Sequence, residues 1–343
     1  DDAGGGEQAH SYEFSRRMAA RLALLVLALA ASADGFAAPG PLTWSRAPAL
    51  RSSLSRPVYT APLTDRVPPP MMRVGMMAGN KVSLTKKNVR ENVGEVVSSL
   101  VSTLEKVLEE ELDLQPLDLP VDLERAEGVV DGSKCVIENS VWQTDSFRKV
   151  HIELATFFNN AGESAGLDIL HCVLFPRPEA AGPEVPMFGC DVVCVRGTVT
   201  AAIVDLSPMT REKRLSAQWA DAFDEGCGGL TEFQEPREIP EFGTHIFGDR
   251  CVFVRPQGAG ECQQFVKLCG EVLKMHCRET ARRTKGYTPS REEVEEAHQG
   301  QVHYCEKQSE NDKTRKILEG SFGVEWTDRY MSTLLFDKPE ALA

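Results

Sequence analysis

Three runs in the middle of the chain are apolar almost without interruption: LDILHCVLF (167–175), CDVVCV (190–195) and the segment 199–206. Runs of that length read as strands, and strands without polar alternation belong to a sheet covered on both faces. The segment RKVHIELA (148–155) alternates instead. It places Val150, Ile152 and Leu154 on one face and Lys149, His151 and Glu153 on the other. The links between these segments are short, so the sheet is expected to be an antiparallel meander. Strands come first and helix-periodic sequence follows. A sheet that needs two covers then predicts an α/β fold, a three-layer α/β/α sandwich around a central antiparallel sheet.

Three of these strands each carry one ionisable group in apolar company: Glu153, His171 and Asp191. Burying a charge without a partner costs several kcal/mol or shifts its pKa. Taken singly, each has an ordinary explanation. Glu153 shares a face with Lys149 and His151 and reads as solvent-facing on an edge strand. His171, beside Leu167, Ile169, Val173 and Phe175, fits a hydrogen-bonded core histidine. Asp191 fits a structural acid, and Asp205, just before Leu-Ser-Pro, fits a turn former. Taken jointly, groups on adjacent strands converge on one cavity, where a carboxylate and an imidazole titrate together. Such a cluster hands protons to a substrate near neutral pH.

Helical spacing runs from Lys87 to Leu112 and recurs at 209–225, 259–284, 290–299 and 311–320. Ser290 and Glu293 have capping-box spacing, and Asn311 or Asp312 can cap the last of these helices. No G-x-G-x-x-G follows a strand and no Walker A motif occurs, so a nicotinamide, flavin or nucleotide enzyme is unsupported. The ten cysteines form no C-x-x-C pair. Their spacing matches neither a structural metal site nor an iron–sulfur cluster, so they read as reduced core thiols and no metal is expected. Electrons for any redox chemistry would come from outside the chain. The formal charge is −13, and all of the excess acid lies after residue 89, which argues against nucleic-acid binding.

The first ninety residues read as an address. Met18 fits an initiator, Arg21 a positive flank and Leu22–Ala31 the apolar core of a signal peptide, too short to span a membrane. Residues 36–88 are rich in Ser, Pro, Arg and Ala with one acid, Asp65, which is transit-peptide composition. The expectation is therefore three parts: upstream residues and signal peptide at 1–35, plastid transit peptide at 36–88, and one domain at 89–343. Phe36 stands near the join, as in bipartite presequences that deliver proteins to the stroma of plastids with additional membranes. The alternative, secretion with a basic linker, sits poorly with free thiols.

The runs FRKVHIELA (147–155), LDILHCVLFPRPE (167–179), PMFGCDVV (186–193), AAIVDLSP (201–208), FVRP (253–256), KQSENDKTRKILE (307–319) and RYMSTLLFD (329–337) together resemble the ferredoxin-dependent bilin reductases. The resemblance covers about residues 115–340. It implies an oxidoreductase acting on CH–CH groups, with biliverdin IXα held between the sheet and the C-terminal helices. It also implies single electrons from reduced [2Fe-2S] ferredoxin, and no permanently bound cofactor. On that basis Asp191 is the central acid that contacts the pyrrole nitrogens and the lactam end and protonates the bilin. His171 is its hydrogen-bonded partner, and Glu153 serves the D-ring vinyl group. His151 and Lys313 would support Glu153, Asn311 and Asp312 would border the pocket, and Arg255 or Arg177 would meet a propionate. The pair Glu153 and His171 implies the branch that makes phycocyanobilin by four-electron reduction, D-ring first. The turn Asn159–Ala165 is longer than the family's, which leaves phycoerythrobilin or another isomer as the alternative product, and an inactive bilin carrier as the alternative function. The resemblance implies a monomer with no membrane contact in its mature form. Arg282, Arg283 and Lys285, or Lys313, Arg315 and Lys316, are the basic patches available to an acidic ferredoxin.

Overall fold

The apolar runs form the middle of an eight-stranded sheet. The computed structural model describes residues 87–342, apart from 131, 132, 160, 161 and 163. The expected signal and transit segments, up to residue 86, lie outside the described residues. The strands are β1 (Gln115–Pro116), β2 (Arg125–Val130), β3 (Ser133–Gln143), β4 (Phe147–Phe158), β5 (Ser164–Pro176), β6 (Met187–Val195), β7 (Thr198–Ser207) and β8 (Val252–Val254). All pairings are antiparallel, in the order β1-β3-β4-β5-β6-β7-β8, with β2 also beside β3. Strands β3 to β7 are the expected meander.

The helices are α1 (Lys87–Arg90), α2 (Glu95–Glu111), α3 (Val121–Glu124), α4 (Pro178–Ala181), α5 (Ala217–Cys227), α6 (Gly258–Thr284), α7 (Arg291–Ser309), α8 (Asp312–Phe322) and α9 (Val324–Tyr330), followed by a π-helical turn at Met331–Leu335. They complete the three layers. One core packs Ile152, Leu170 and Val192 of the sheet against α2, α5 and α6, through Leu104, Trp219 and Val272 among others. A second core packs Phe157, Val173 and Val193 on the opposite face against α7, α8 and α9, through Tyr304, Leu318 and Tyr330.

Several local expectations give way to tertiary contacts. The helix expected over 87–112 breaks before α2. There the Gly94 N–H donates to Asp168 Oδ2 on β5 (2.8 Å), which sets an acid at the positive end of α2. The helix expected from residue 209 starts at Ala217, after a turn in which Lys213 takes φ 53°. The Ser290–Glu293 capping box is formed. Asn311 stands at the N-cap of α8 but gives no side-chain cap; its Nδ2 donates to Thr314 Oγ1 (3.1 Å).

Two readings of single residues are corrected. Asp205 is not a turn former: it lies within β7, buried, accepting from Ser207 Oγ (2.5 Å) and from the Gly248 N–H (3.0 Å). Glu153 is not on a wet edge. Its strand β4 lies between β3 and β5, and the side chain is 8% exposed. The alternation of 148–155 was real, but the charged face is roofed by the C-terminal helices, and each polar group on it finds a partner there or on β3.

Candidate functional site

Pairing register gathers the site. Across the sheet, Asn139 lies opposite Glu153, Glu153 opposite His171, His171 opposite Asp191, and Asp191 opposite Ile203. Direct partners in antiparallel strands point to the same face with neighbouring Cβ atoms about 5 Å apart. The three groups expected to converge therefore form one row. A cavity stands over that row and is lined by Glu153, His171 and Asp191. Its other walls are mostly apolar: Phe157 and Val193 from the sheet, Phe242 and Phe247 from the loop before β8, and Leu318 and Phe336 above. Ligand pockets commonly combine apolar walls with a few placed polar groups.

The polar groups fall into two separate hydrogen-bonded sets. In the first, His171 Nδ1 and Asp191 Oδ1 are 2.6 Å apart, and His171 Nε2 is buried with no protein partner. Burial disfavours the imidazolium, but the charge and hydrogen bond of Asp191, aided by Glu153, outweigh it and raise the His171 pKa. In the second, the Tyr330 hydroxyl lies 2.5 Å from Glu153 Oε2 and 2.9 Å from Asn139 Oδ1, which is also 2.8 Å from His151 Nε2. Burial raises the Glu153 pKa; the positive His171 and the Tyr330 hydrogen bond oppose it, and Asp191 adds to it. His151 goes the other way. Burial, then the charges of Lys149 and His171, push it well below the ordinary histidine range. The two imidazoles are 5.8 Å apart and tilted by 72°, yet their environments drive their protonation states apart.

The remaining expected residues divide. Asn311 borders the cavity, with Oδ1 buried and unpartnered. Asp312 does not line it. At the first turn of α8 its carboxylate turns outward to Lys316 Nζ (2.5 Å). Arg255 is also outside the lining and faces Glu235 Oε1 at 3.5 Å. Arg177 is held by Thr144 O (2.9 Å) and Gln143 Oε1 (2.7 Å). The side chain of Lys313 lies outside the described residues. Lys149 is buried and donates to Leu334 O (2.6 Å) and to Asp337. Of the expected basic patches, Arg282 pairs with Glu279, Arg283 with Glu184, Arg315 with Asp328 and Lys316 with Asp312. Asn139 and Tyr330 had no part in the sequence reading, although Tyr330 lies in one of the quoted runs.

The residues Gly162–Gly166 match G-x-S-x-G spacing, but they lead from β4 into β5 instead of from a strand into a helix, so no nucleophile elbow forms. Among the described residues, no group of three or more His, Cys, Asp or Glu is placed to hold a metal ion, and no helix is long and apolar enough to cross a membrane.

The chain is similar in sequence and in fold to known proteins. The chain is 41% identical over 226 residues to a phycocyanobilin:ferredoxin oxidoreductase of Trichodesmium erythraeum, covering 66% of this chain and 86% of that protein. It is 40% identical over 227 residues to the protein of the same name from Gloeobacter violaceus, covering 66% and 84%. Among solved structures, a phytochromobilin synthase from tomato in complex with biliverdin shares the fold, with a TM-score of 0.55 at 12% identity over 71% of this chain and 83% of that one. The sequence profile described as ferredoxin-dependent bilin reductase matches residues 101–337, and the chain belongs to that family.

Proposed function

We propose that this bilin reductase converts biliverdin IXα to phycocyanobilin, taking four electrons one at a time from ferredoxin and supplying the protons from its own side chains. The observation that carries the reading is the row Glu153, His171 and Asp191 on one wall of a single apolar cavity, split into two proton-holding sets. Each double bond reduced takes two electrons and two protons. Every added electron makes the tetrapyrrole more basic, and apolar walls keep water from supplying the proton in its place. His171, charged and held by Asp191, is suited to protonate the nitrogen and oxygen atoms of the bilin. Glu153, favoured in its neutral form, is suited to deliver a proton to the D-ring vinyl group. Two donors with different partners fit two successive two-electron reductions at two ends of one molecule.

The test is anaerobic incubation of the full chain with biliverdin IXα, ferredoxin and a reducing system, followed by chromatography of the products. Phycocyanobilin is expected. Phycoerythrobilin would replace the product branch, and tight binding without turnover would replace the enzyme with a carrier. The reading includes action as a monomer, which light scattering would check. It also includes import into a plastid stroma through residues 18–88. A native N-terminus near residue 89, read by mass spectrometry, is expected, and one before Phe36 would sink the import step.

A further inference from the structure

The second hydrogen-bonded set contains more acceptors than its protons can serve at once. The Tyr330 hydroxyl has one proton and lies within bonding distance of both Glu153 Oε2 and Asn139 Oδ1. The Asn139 amide cannot be turned over to help. Its Nδ2 donates to Leu123 O (2.7 Å), a carbonyl that can only accept, so Oδ1 faces Tyr330 and His151 and can only accept as well. His151 therefore carries its proton on Nε2 and donates it to Oδ1. Its Nδ1 is buried and has no acceptor for a second proton, which fits the neutral ring.

Two arrangements remain. With Tyr330 donating to Asn139, the contact to Glu153 holds only if the Glu153 carboxyl carries a proton and donates it to the Tyr330 oxygen. With Glu153 ionised, Tyr330 must turn its proton to the carboxylate, and Asn139 keeps His151 alone. We infer that Tyr330 and Asn139 are positioning residues that form a hydroxyl switch: they hold Glu153 proton-loaded before delivery and stabilise its carboxylate afterwards. Neither residue lines the cavity, so both act through Glu153. The inference rests on the reading that Glu153 is the D-ring proton donor. In the delivery step the Glu153 O–H bond breaks and the proton passes to the reduced bilin. The Tyr330 O–H bond stays intact and rotates, and a hydronium ion from the solvent recharges Glu153 after the product has left.

The switch predicts opposite effects from two substitutions. Tyr330→Phe removes both hydrogen bonds, but the bond to a carboxylate is roughly twice as strong as a neutral one. The ionised form loses more, and the Glu153 pKa rises. Asn139→Leu removes the competing acceptor, so Tyr330 donates permanently to Glu153 and the pKa falls. The other titratable groups facing Glu153 are His171 on β5, Asp191 on β6, Cys135 on β3, and His151 and Lys149 on β4. Both variants keep all of these side chains; Asn139→Leu also removes the partner of His151 Nε2, which Tyr330→Phe leaves intact.

The experiment is an infrared pH titration of the full chain without substrate, following the protonated-carboxyl band that disappears in Glu153→Gln. Tyr330→Phe is expected to raise the midpoint by about one pH unit, a tenfold change in the proton equilibrium, and Asn139→Leu to lower it by a similar amount. Asn139→Ala serves if the leucine unfolds β3. Midpoints that stay at the native value, or that move in the same direction, overturn the switch. In anaerobic turnover, Tyr330→Phe should slow the D-ring stage about tenfold in kcat with KM unchanged. The infrared arm needs no bilin. Opposite shifts in a chain that does not reduce biliverdin would keep the switch and remove the functional reading, and normal turnover without the shifts would do the reverse.

Discussion

The two faces of the sheet are built from the same strands and differ at every other residue. Ile152, Leu170, Cys190 and Val204 point to one side; Glu153, His171, Asp191 and Asp205 point to the other. Each face also buries a histidine. On the apolar side, His276 sits among Phe147, Phe188 and Trp219, with Nε2 on Pro186 O (2.8 Å). Burial pushes it down to about 4, against the pull of that carbonyl, so it packs as a neutral ring. His171 is buried too, yet its pKa rises, because its partner is a carboxylate. Burial alone does not mark a functional histidine. The partner decides whether the ring holds a proton, and the cavity decides whether that proton can go anywhere.

Substitutions on the two faces should therefore fail in different ways. The largest effect is expected for Asp191→Asn, which strips His171 of its charge partner. Turnover should fall about a thousandfold while bilin binding persists, as absorbance titration and anaerobic kinetics would show. A loss below about tenfold would erase the chemical distinction between the faces. On the apolar side, Leu104→Ala should cost about 3 kcal/mol in urea unfolding and leave kcat unchanged, since Leu104 is fully buried and far from proton traffic. A matching fall in kcat would show that the faces are coupled.

Glu153→Gln should slow the D-ring stage about a hundredfold and leave a two-electron product on chromatography; phycocyanobilin at the native rate would remove Glu153 from its role. The smallest effect concerns Asp205, which burial raises from 3.8 to about 7 against the hydrogen bonds from Ser207 and Gly248. Between those values the folded state holds a proton that the unfolded state has lost. Stability should therefore fall as pH rises through this window and stay lowest above it. Asp205→Asn should flatten that dependence and gain on the order of 2 kcal/mol near pH 8. Parallel unfolding curves for the two proteins near pH 5 and pH 8 would contradict it.

The sheet was legible because each strand carries its own pattern, and the convergence of Glu153, His171 and Asp191 followed from strand order. What the pattern could not supply was the cover. Alternation in 148–155 looks the same whether Lys149 and Glu153 meet water or a roof. The roof comes from Tyr330, Leu334 and Asp337, more than 170 residues along the chain. Resemblance placed Asp312 and Arg255 near the site by position, but position does not fix direction, and each finds a closer charge elsewhere. The break before Gly94 is likewise set by Asp168, 74 residues away.

The π-helical turn after α9 has a consequence for how the protein is made. Every strand of the sheet leaves the ribosome before residues 329–337 exist. Until they arrive, Glu153 lacks Tyr330, and Lys149 lacks Leu334 O, Leu335 O and Asp337. Those polar groups stay hydrated, and the cavity lacks Leu335 and Phe336. A nascent or truncated chain can thus assemble the apolar face while its proton-donating face stands open to water. A stretch translated after every strand of the sheet is the one that dries the site.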